Sequence, residues 1–276
     1  MAKCDLCGQD AGRLHRRHGL CEVKRDRGSD QIIQLVSEAA QSATAPDQLL
    51  GRLHDIAQRS FIDASSLSDL IASGWERAVD YALEDDVLTR EEETSLIRLQ
   101  DAFGLSQGQL DGNGAYTRVA QAGVIRDLLQ DKLPQRMILD GVPLNLQKGE
   151  SLVWRFLDVD YRERRTTVRY SGTNLGVGVG VAGVYLGLGR FRGRPIPVTE
   201  TVQVDRGILV LTNMHLYFDG ADKKFRIPYP KIVSFTPYSD GIGVQSDEQA
   251  PYQLFLTQDG WFTYNLVTNL ARLAAA

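Results

Sequence analysis

The spacing of apolar residues changes once along this chain, from a helical repeat to an alternating one. Between residues 29 and 134, apolar side chains recur every three or four positions, as in the stretch 67–82, which predicts amphipathic helices. From Gly149 onward they recur every second position, as in 207–212, which predicts short strands. The pattern therefore predicts a helical region followed by a β region.

Polar residues with capping chemistry mark the ends of the predicted helices. The segment Thr89-Arg90-Glu91-Glu92 has the sequence of a capping box, and Gly104 is placed to end the helix that follows it. Residues 22–28 are predicted to be a charged linker before the first helix. Five helices are predicted, and they begin near Ser29, Asp47, Ser65, Thr89 and Thr117.

Turn residues such as Asp219-Gly220 and Asp240-Gly241 separate the predicted strands. A closing helix is predicted at 261–270, with an apolar face that can cover an open end of a sheet. Many short strands followed by one helix favour a small barrel with a helical plug. The predicted strands are 152–156, 166–170, 207–212, 215–218, 224–227, 241–244 and 253–256.

The segment 176–189 alternates small and apolar residues. This alternation favours a core strand that another backbone approaches closely, and insertion into a membrane or a partner is the alternative. The segment lacks the strand–turn–helix frame of a dinucleotide-binding loop. Its small face consists of Gly176, Gly178, Gly180 and Ala182.

The cysteines suggest a metal site. All of them lie in the first 21 residues, where Gly8 and Gly19 give the backbone freedom that tight turns need. A Cys3His shell has no open position, which favours a structural role for a Zn²⁺ ion over a catalytic one. The predicted ligands form two pairs, each separated by two residues: Cys4 and Cys7, then His18 and Cys21.

His15 is the competing fourth ligand, but only His18 reproduces the spacing of the first pair. Two explanations without metal are unrelated cysteines in a disordered leader and a redox pair at Cys4 and Cys7. A redox pair is expected near a βαβ pattern, which the sequence does not predict.

Composition sets the class of protein and its compartment. The chain has 276 residues, a net charge of −4 and 43% hydrophobic residues, as expected of a mildly acidic multidomain globular protein. Met1-Ala2-Lys3 leads into the zinc candidate instead of an apolar signal segment, and no apolar run has the length of a spanning helix. Cysteines committed to metal imply a reducing compartment. We therefore expect a cytoplasmic protein.

Residues 206–220, followed by 223–228 and Lys231-Ile232, resemble the core of bacterial pleckstrin-homology-like and GRAM-like domains. In that pattern, a strand ending in Leu-Thr-Asn turns sharply into a second strand that ends in an aromatic residue. The resemblance covers roughly residues 149–272. It implies a seven-strand bent barrel capped by a C-terminal helix.

Residues 82–92 and 99–105 resemble, more loosely, TerB-like helical domains associated with tellurite resistance and with bacterial stress or phage defence. That family usually has Asp-Gly where this chain has Asp85-Asp86. The resemblance implies metal binding by acidic side chains at this junction, here Asp85, Asp86 and Glu92. The residues themselves favour the simpler explanation that one helix ends here and that Thr89 and Glu92 cap the next.

Residues 1–25 resemble the small zinc-ribbon or treble-clef modules of bacterial multidomain proteins. Basic residues outnumber acidic ones here, so zinc-dependent nucleic-acid binding is one alternative function. The basic pairs, such as Arg16-Arg17, are short and have no interleaved aromatic residues for stacking on bases. This makes nucleic acid the weaker alternative.

Arginines surround the glycine-rich segment. The pleckstrin-like resemblance implies that cations around the first hairpin bind phosphates, so a peripheral sensor of anionic lipid at the inner membrane face is the second alternative. Asp158, Asp160 and Glu163 neutralise part of the cluster, and the simpler explanation is that the arginines only solvate strand edges. Bacterial domains of the resembled fold often serve as protein-interaction modules, so the resemblance favours a protein partner over lipid. The candidate anion-binding or partner-binding residues are Arg162, Arg164, Arg165, Arg169, Arg190, Arg192 and Arg194.

The sequence has no serine elbow, phosphate-cradling loop or paired-histidine metal helix, and His54 and His215 are expected to be structural. We therefore predict a multidomain α+β protein with a zinc module at 1–28, an all-α domain at 29–140 and a pleckstrin-like β-barrel capped by a helix at 149–276. Its expected function is that of a non-enzymatic adaptor for a protein partner. Bacterial stress response or phage defence is the expected setting, and self-association is a further expectation.

Overall fold

The chain divides into two units, Met1–Gln130 and Asp131–Ala276, and each is described by itself. The computed structural model describes residues 3–12, 16–42, 46–85, 87–134, 145–171, 179–181, 184–186, 194–246 and 250–275. Within these, only the backbone is described for 167–171, 179–181, 184–186 and 194–198.

The first unit is helical. Its core contains Trp75 and Leu99, and the Trp75 indole donates a hydrogen bond to the Leu96 carbonyl at 2.9 Å. In its described part, the helices are α1 (Gly19–Gln41), α2 (Pro46–Arg59), α3 (Ala64–Ala82), α4 (Arg90–Phe103), α5 (Gln107–Leu110) and α6 (Ala115–Leu129).

Helix α1 begins ten residues earlier than predicted, so the predicted linker and the predicted cap Ser29 both lie inside it. The Ser29 hydroxyl donates to the Arg25 carbonyl one turn back, at 3.0 Å. The charged segment 22–28 contains no proline to break a helix, and its only glycine, Gly28, is buried against Ser60. The predicted boundary between residues 28 and 29 therefore falls within one continuous helix.

The capping prediction was accurate for α4, whereas Asp47, predicted as a cap, lies inside the first turn of α2. Thr89 and Glu92 form the predicted capping box of α4, and Gly104 ends that helix in the left-handed conformation with φ 61°. Helix α3 begins at Ala64, one residue before the predicted start near Ser65, and is capped by Asp63. The short helix α5 was not predicted.

Helix α1 packs closely against α3 at Gly74. A methyl group added there would lie 2.6 Å from Val36 Cβ and 3.0 Å from the Ile33 carbonyl oxygen. Both partners belong to α1, and Val36 is fully buried. The two helices can approach this closely only because residue 74 has no side chain.

The second unit contains a curled, seven-stranded antiparallel half-barrel. The strand order is β6-β5-β4-β1-β9-β8-β7, with a separate β2-β3 pair. The described elements are β1 (Leu152–Ser171), β2 (Val179–Val181), β3 (Val184–Leu186), β4 (Arg194–Thr212), β5 (His215–Gly220), β6 (Lys224–Pro228), a 3-10 turn (Tyr229–Lys231), β7 (Ser234–Tyr238), β8 (Gly241–Gln245), β9 (Tyr252–Leu256) and α7 (Gly260–Ala275).

Several strands differ from the prediction. The predicted strands 152–156 and 166–170 are parts of one long strand, β1. The described part of the glycine-rich segment forms two short strands that pair with each other outside the main sheet, instead of one core strand. Strand β7 was missed because it contains Pro237, which the edge position of β7 tolerates.

A closing helix was predicted at 261–270, and α7 packs there against β7 and β8 of the curled sheet. Phe262, Leu266, Val267 and Leu270 are all fully buried. The ring of Phe262 meets that of Trp154 edge-on, with 4.8 Å between centroids. Among the described residues, none of the helices carries an apolar stretch of membrane-spanning length.

A buried carboxylate, Glu150, joins the start of β1 to β4 and β5. It accepts hydrogen bonds from the Gln147 amide (2.7 Å), the Thr212 hydroxyl (2.6 Å), His215 Nδ1 (2.9 Å) and the Tyr217 hydroxyl (2.9 Å). Burial alone would raise the pKa of Glu150, but these donors outweigh it and lower the pKa below its usual value. The ionised form is therefore the one that stabilises this unit.

We expect Gly74→Ala to destabilise the first unit by about 1–3 kcal/mol, because the added methyl group overpacks the contact between α1 and α3. Gly51→Ala is the matched control, since Gly51 lies in α2 with open space around it. That control should be neutral or stabilising by up to about 1 kcal/mol. Urea denaturation of both variants measures the difference, and equal stability of the two would contradict the proposed close contact.

We expect Glu150→Gln to destabilise the second unit by about 1.5–3 kcal/mol near neutral pH, because four donors lose a charged acceptor. A lowered folded-state pKa contributes stability that is present above the unfolded pKa and lost as pH falls through the folded one. The difference in the free energy of unfolding between wild type and variant should therefore become smaller as the pH is lowered.

Denaturation at about pH 7 and about pH 4 measures this difference. The control is Asp222→Asn, which removes an exposed carboxylate of the same unit. A difference that does not change with pH would show that the charge of Glu150 contributes nothing.

Candidate metal centre

The first ligand pair lies in a tight backbone turn. The Cys4 amide donates to the Gln9 carbonyl at 2.7 Å, and the Gly8 amide donates to the Cys4 carbonyl at 2.9 Å. Gly8 has φ 73°, a conformation that favours glycine, as the sequence predicted. This turn holds Cys4 buried and Cys7 half-buried on the same side.

The second pair lies at the beginning of α1, where the sequence predicted a separate turn. His18 is the N-cap, and Cys21 occupies the third helical position. The spacing of two residues is thus produced by the first turn of a helix, and Gly19 has no left-handed conformation. The partial positive charge at this helix terminus favours a thiolate at Cys21 once metal is bound.

The fold brings the four predicted ligands together. Their ligand atoms all lie within 4.8 Å of one another. His18 Nδ1 lies 3.3 Å from Cys7 Sγ and 3.7 Å from Cys21 Sγ. In a tetrahedral zinc site, a histidine nitrogen and a cysteine sulfur that bind the same ion lie about 3.6 Å apart, given the usual bond lengths. The cluster can therefore hold a metal ion, and its donor set fits Zn²⁺.

A backbone carbonyl fixes the orientation of the His18 ring. His18 Nε2 lies 2.9 Å from the Asp10 carbonyl oxygen, which can only accept a hydrogen bond. Nε2 therefore carries the proton, and the lone pair of Nδ1 faces the cysteines. Such an outer contact is typical of metal-binding histidines. No sequence pattern predicts this contact, because the partner is a main-chain atom eight residues away.

The thiols differ in acidity. Burial would raise the pKa of Cys4, but hydrogen bonds from the Cys7, His18 and Leu6 amides outweigh it and lower the pKa to about 6. Burial and the neighbouring Cys7 and Cys4 raise the pKa of Cys21 to about 11. Without metal, Cys4 is therefore the more acidic of these two thiols and Cys21 the one that holds its proton more strongly. Metal binding at all three sulfurs must therefore release a proton, and acid must oppose it.

The competing candidates do not form a second cluster in the described structure. His15 and Asp86 lie outside the described residues. Glu92 accepts from the Thr89 amide at 2.9 Å, and Asp85 accepts from the Val87 amide at 3.1 Å. Both carboxylates are thus used in capping and turn contacts. Among the described residues, only the Cys/His cluster groups enough ligands for a metal ion.

Two of the predicted arginines are paired with acids on their own strand, β1. Arg165 donates two hydrogen bonds to Glu163 Oε2, at 2.9 and 2.8 Å. Arg162 lies 3.7 Å from Asp160. These ion pairs reduce the positive charge that an anionic ligand would meet.

The remaining predicted arginines do not form one site in the described structure. The Arg164 guanidinium lies over the Tyr252 ring, 4.7 Å from its centroid. Only the backbone is described for Arg169 and Arg194, whose strands β1 and β4 pair with each other. Arg190 and Arg192 lie outside the described residues.

Comparison with known proteins finds no protein-family profile that matches this chain and no curated protein of similar sequence. The geometry of the residues themselves therefore carries the functional argument.

We expect the purified protein to hold about one zinc ion per chain, because the cluster supplies one four-ligand shell. Cys4→Ser, Cys21→Ser and His18→Asn should each lose most of this metal. His54→Asn is the matched control, since His54 is an exposed histidine that contacts only the Leu50 carbonyl in its own helix. Elemental analysis after dialysis measures the content, and undiminished zinc in both serine variants would rule out this site.

Proposed function

We propose that this chain is a non-enzymatic adaptor in which a structural zinc ion holds the start of α1 and a pleckstrin-like β unit contributes a second binding surface. The single observation that carries the proposal is the position of the Cys/His cluster at the N-terminus of α1, the longest described helix. Four protein ligands would complete a tetrahedral shell, which suits a structural ion.

The zinc ion would join two segments that, among the described residues, are linked by few other hydrogen bonds. The turn around Cys4 contributes one pair of ligands and the first turn of α1 contributes the other. One of the few other links is the hydrogen bond from the Asp5 amide to the Arg16 carbonyl, at 2.9 Å. A metal that bridges such segments adds its binding free energy to their folding.

The β unit supports the pleckstrin-like part of the proposal. Its seven-stranded antiparallel sheet followed by a covering helix agrees with the fold that the resemblance implies. The residues that carry the resemblance span the end of β4, β5 and β6. The TerB-like part rests on sequence resemblance alone, and the proposed role in bacterial stress response or phage defence rests on it.

The charges favour a protein partner over a lipid or nucleic acid. Arg162 and Arg165 are already paired with carboxylates, so fewer cations of β1 are free for phosphates. Arg16 and Arg17 are exposed, but no aromatic residue adjoins them in sequence to stack on bases.

Photo-crosslinking in cells of the organism that encodes the chain tests the adaptor function. A crosslinking residue would replace one exposed apolar side chain at a time, at Ile97 in the first unit and at Leu157 or Trp261 in the second. We expect at least one position to give a discrete protein adduct that an excess of untagged protein suppresses. Asp222, an exposed polar position, is the control that should give no such adduct.

Two results would overturn the adaptor function. One is zinc-dependent turnover of a substrate without any specific adduct. The other is salt-sensitive co-sedimentation with anionic vesicles that is lost in an Arg162→Ala, Arg164→Ala, Arg165→Ala variant, because this would assign the β unit to a membrane surface.

A further inference from the structure

A groove of about 410 Å³ lies between the first three turns of α1 and the end of α2, next to the metal cluster. Four of its lining residues, at positions 20, 24, 27 and 31, recur at intervals of three or four and therefore share one face of α1. The lining consists of Leu20, Val23, Lys24, Arg27, Gly28, Gln31, Ile56, Arg59 and Ser60.

The groove exposes aliphatic surface on the first turn of a helix. The Leu20 side chain is 86% exposed and Val23 is 47% exposed, although both are apolar. Leu20 lies between the metal ligands His18 and Cys21, so its position is fixed when the cluster is fixed. A large apolar residue held in water at a fixed position is typical of a binding surface when a concave site adjoins it.

The charges of the groove have one sign. Lys24, Arg27 and Arg59 line it, and no carboxylate does. Within the described part of the chain, Arg27 forms no ion pair or hydrogen bond through its side chain. The acidic residues of this part of α1, Glu22, Asp26 and Asp30, are exposed but do not line the groove. The groove is therefore complementary to an acidic ligand.

The base of the groove is rigid. Gly28 is buried, and a side chain there would collide with Ser60 at the end of α2. Ile56, which also lines the groove, is only 5% exposed. The two helices therefore keep a constant spacing, and a ligand finds the site already formed.

We propose that this groove binds an acidic amphipathic helix of a partner protein. The inference rests on the proposed adaptor function and names its binding surface. The groove follows α1 from Leu20 to Gln31, a length of about 16 Å at the usual rise per residue, which matches three turns of a bound helix. Apolar residues of that helix would cover Leu20 and Val23, and its carboxylates would meet the three cations.

A helix fits better than a nucleic acid because the groove exposes the aliphatic side chains Leu20 and Val23. Leu20 and Val23 offer no hydrogen bonds to phosphates and no ring for stacking on bases. The one aromatic contact nearby is Phe61, which lies under the Lys24 ammonium group at 5.3 Å and does not line the groove.

Fluorescence anisotropy with the full zinc-loaded chain tests the proposal. The probe is a labelled helical peptide of about 15 residues with leucines spaced i, i+4, i+7 and glutamates beside them. We expect saturable binding that weakens as salt rises. A peptide of the same composition with its leucines spread around the helix, and one with lysine in place of glutamate, should both bind at least about tenfold more weakly.

Variants of the chain locate the binding. Leu20→Ser, Val23→Ser and Arg27→Glu should each weaken binding, by about tenfold for Leu20→Ser, because these residues would be covered by the peptide. The matched controls are Leu129→Ser and Arg52→Glu, which change an exposed leucine and an exposed arginine of the same unit outside the groove. Both controls should stay within about twofold of wild type. Zinc content and the midpoint of thermal unfolding confirm that the variants fold.

Three results would overturn the inference: no saturable peptide binding, equal binding of the rearranged peptide, or unchanged binding in all three groove variants. Arg27-dependent binding of a DNA duplex without peptide binding would also overturn it and assign the groove to nucleic acid. The outcome for the groove can be distinguished from the outcome for the adaptor function. Specific crosslinks at Leu157 or Trp261 without peptide binding would support the adaptor function and rule out only the groove as its binding surface.

Discussion

The N-terminal half of this protein depends on how one histidine is held. His18 is the N-cap at which α1 begins, and its Nε2–H is directed at the Asp10 carbonyl, so that Nδ1 faces the three thiols. One side chain thus joins the metal cluster to the longest described helix. Because α1 packs against α2, α3 and α4, the conformation of the first few residues is coupled to the position of the helical core. A bound ion would make this coupling rigid, since it would connect Cys4 to the helix start.

Two glycines transmit this constraint into the helical unit. At Gly74 the backbone of α3 approaches α1, and at Gly28 the backbone of α1 approaches the end of α2. Neither position has room for a side chain, because one added at Gly74 would meet Val36 and one added at Gly28 would meet the Ser60 side chain. Close packing at these glycines therefore holds the helices in addition to apolar burial. The same contact at Gly28 forms the base of the basic groove. The residues that stabilise the fold therefore also shape the proposed binding surface.

Charged groups at two places in the chain differ in how they are paired. In the β unit, Glu150 accepts four hydrogen bonds and Arg165 is held by Glu163. Such groups contribute to stability and leave little free charge for a ligand. In the groove of the helical unit, the lining includes cations such as Arg27 and no carboxylate. The position of unpaired charge next to exposed aliphatic surface is what favours a protein partner for this chain.

Local sequence determined the features that depend on residues within one or two turns of each other. The capping box of Thr89 and Glu92 and the ligand spacing of the cluster were predictable, because both follow from the geometry of a few consecutive residues. Tertiary structure decided the rest. Helix α1 continues through Gly28 because Ser60 buries it, and β7 accommodates Pro237 because it lies at an edge of the sheet. The groove likewise exists only where two helices meet, and no local pattern specifies how distant segments pack.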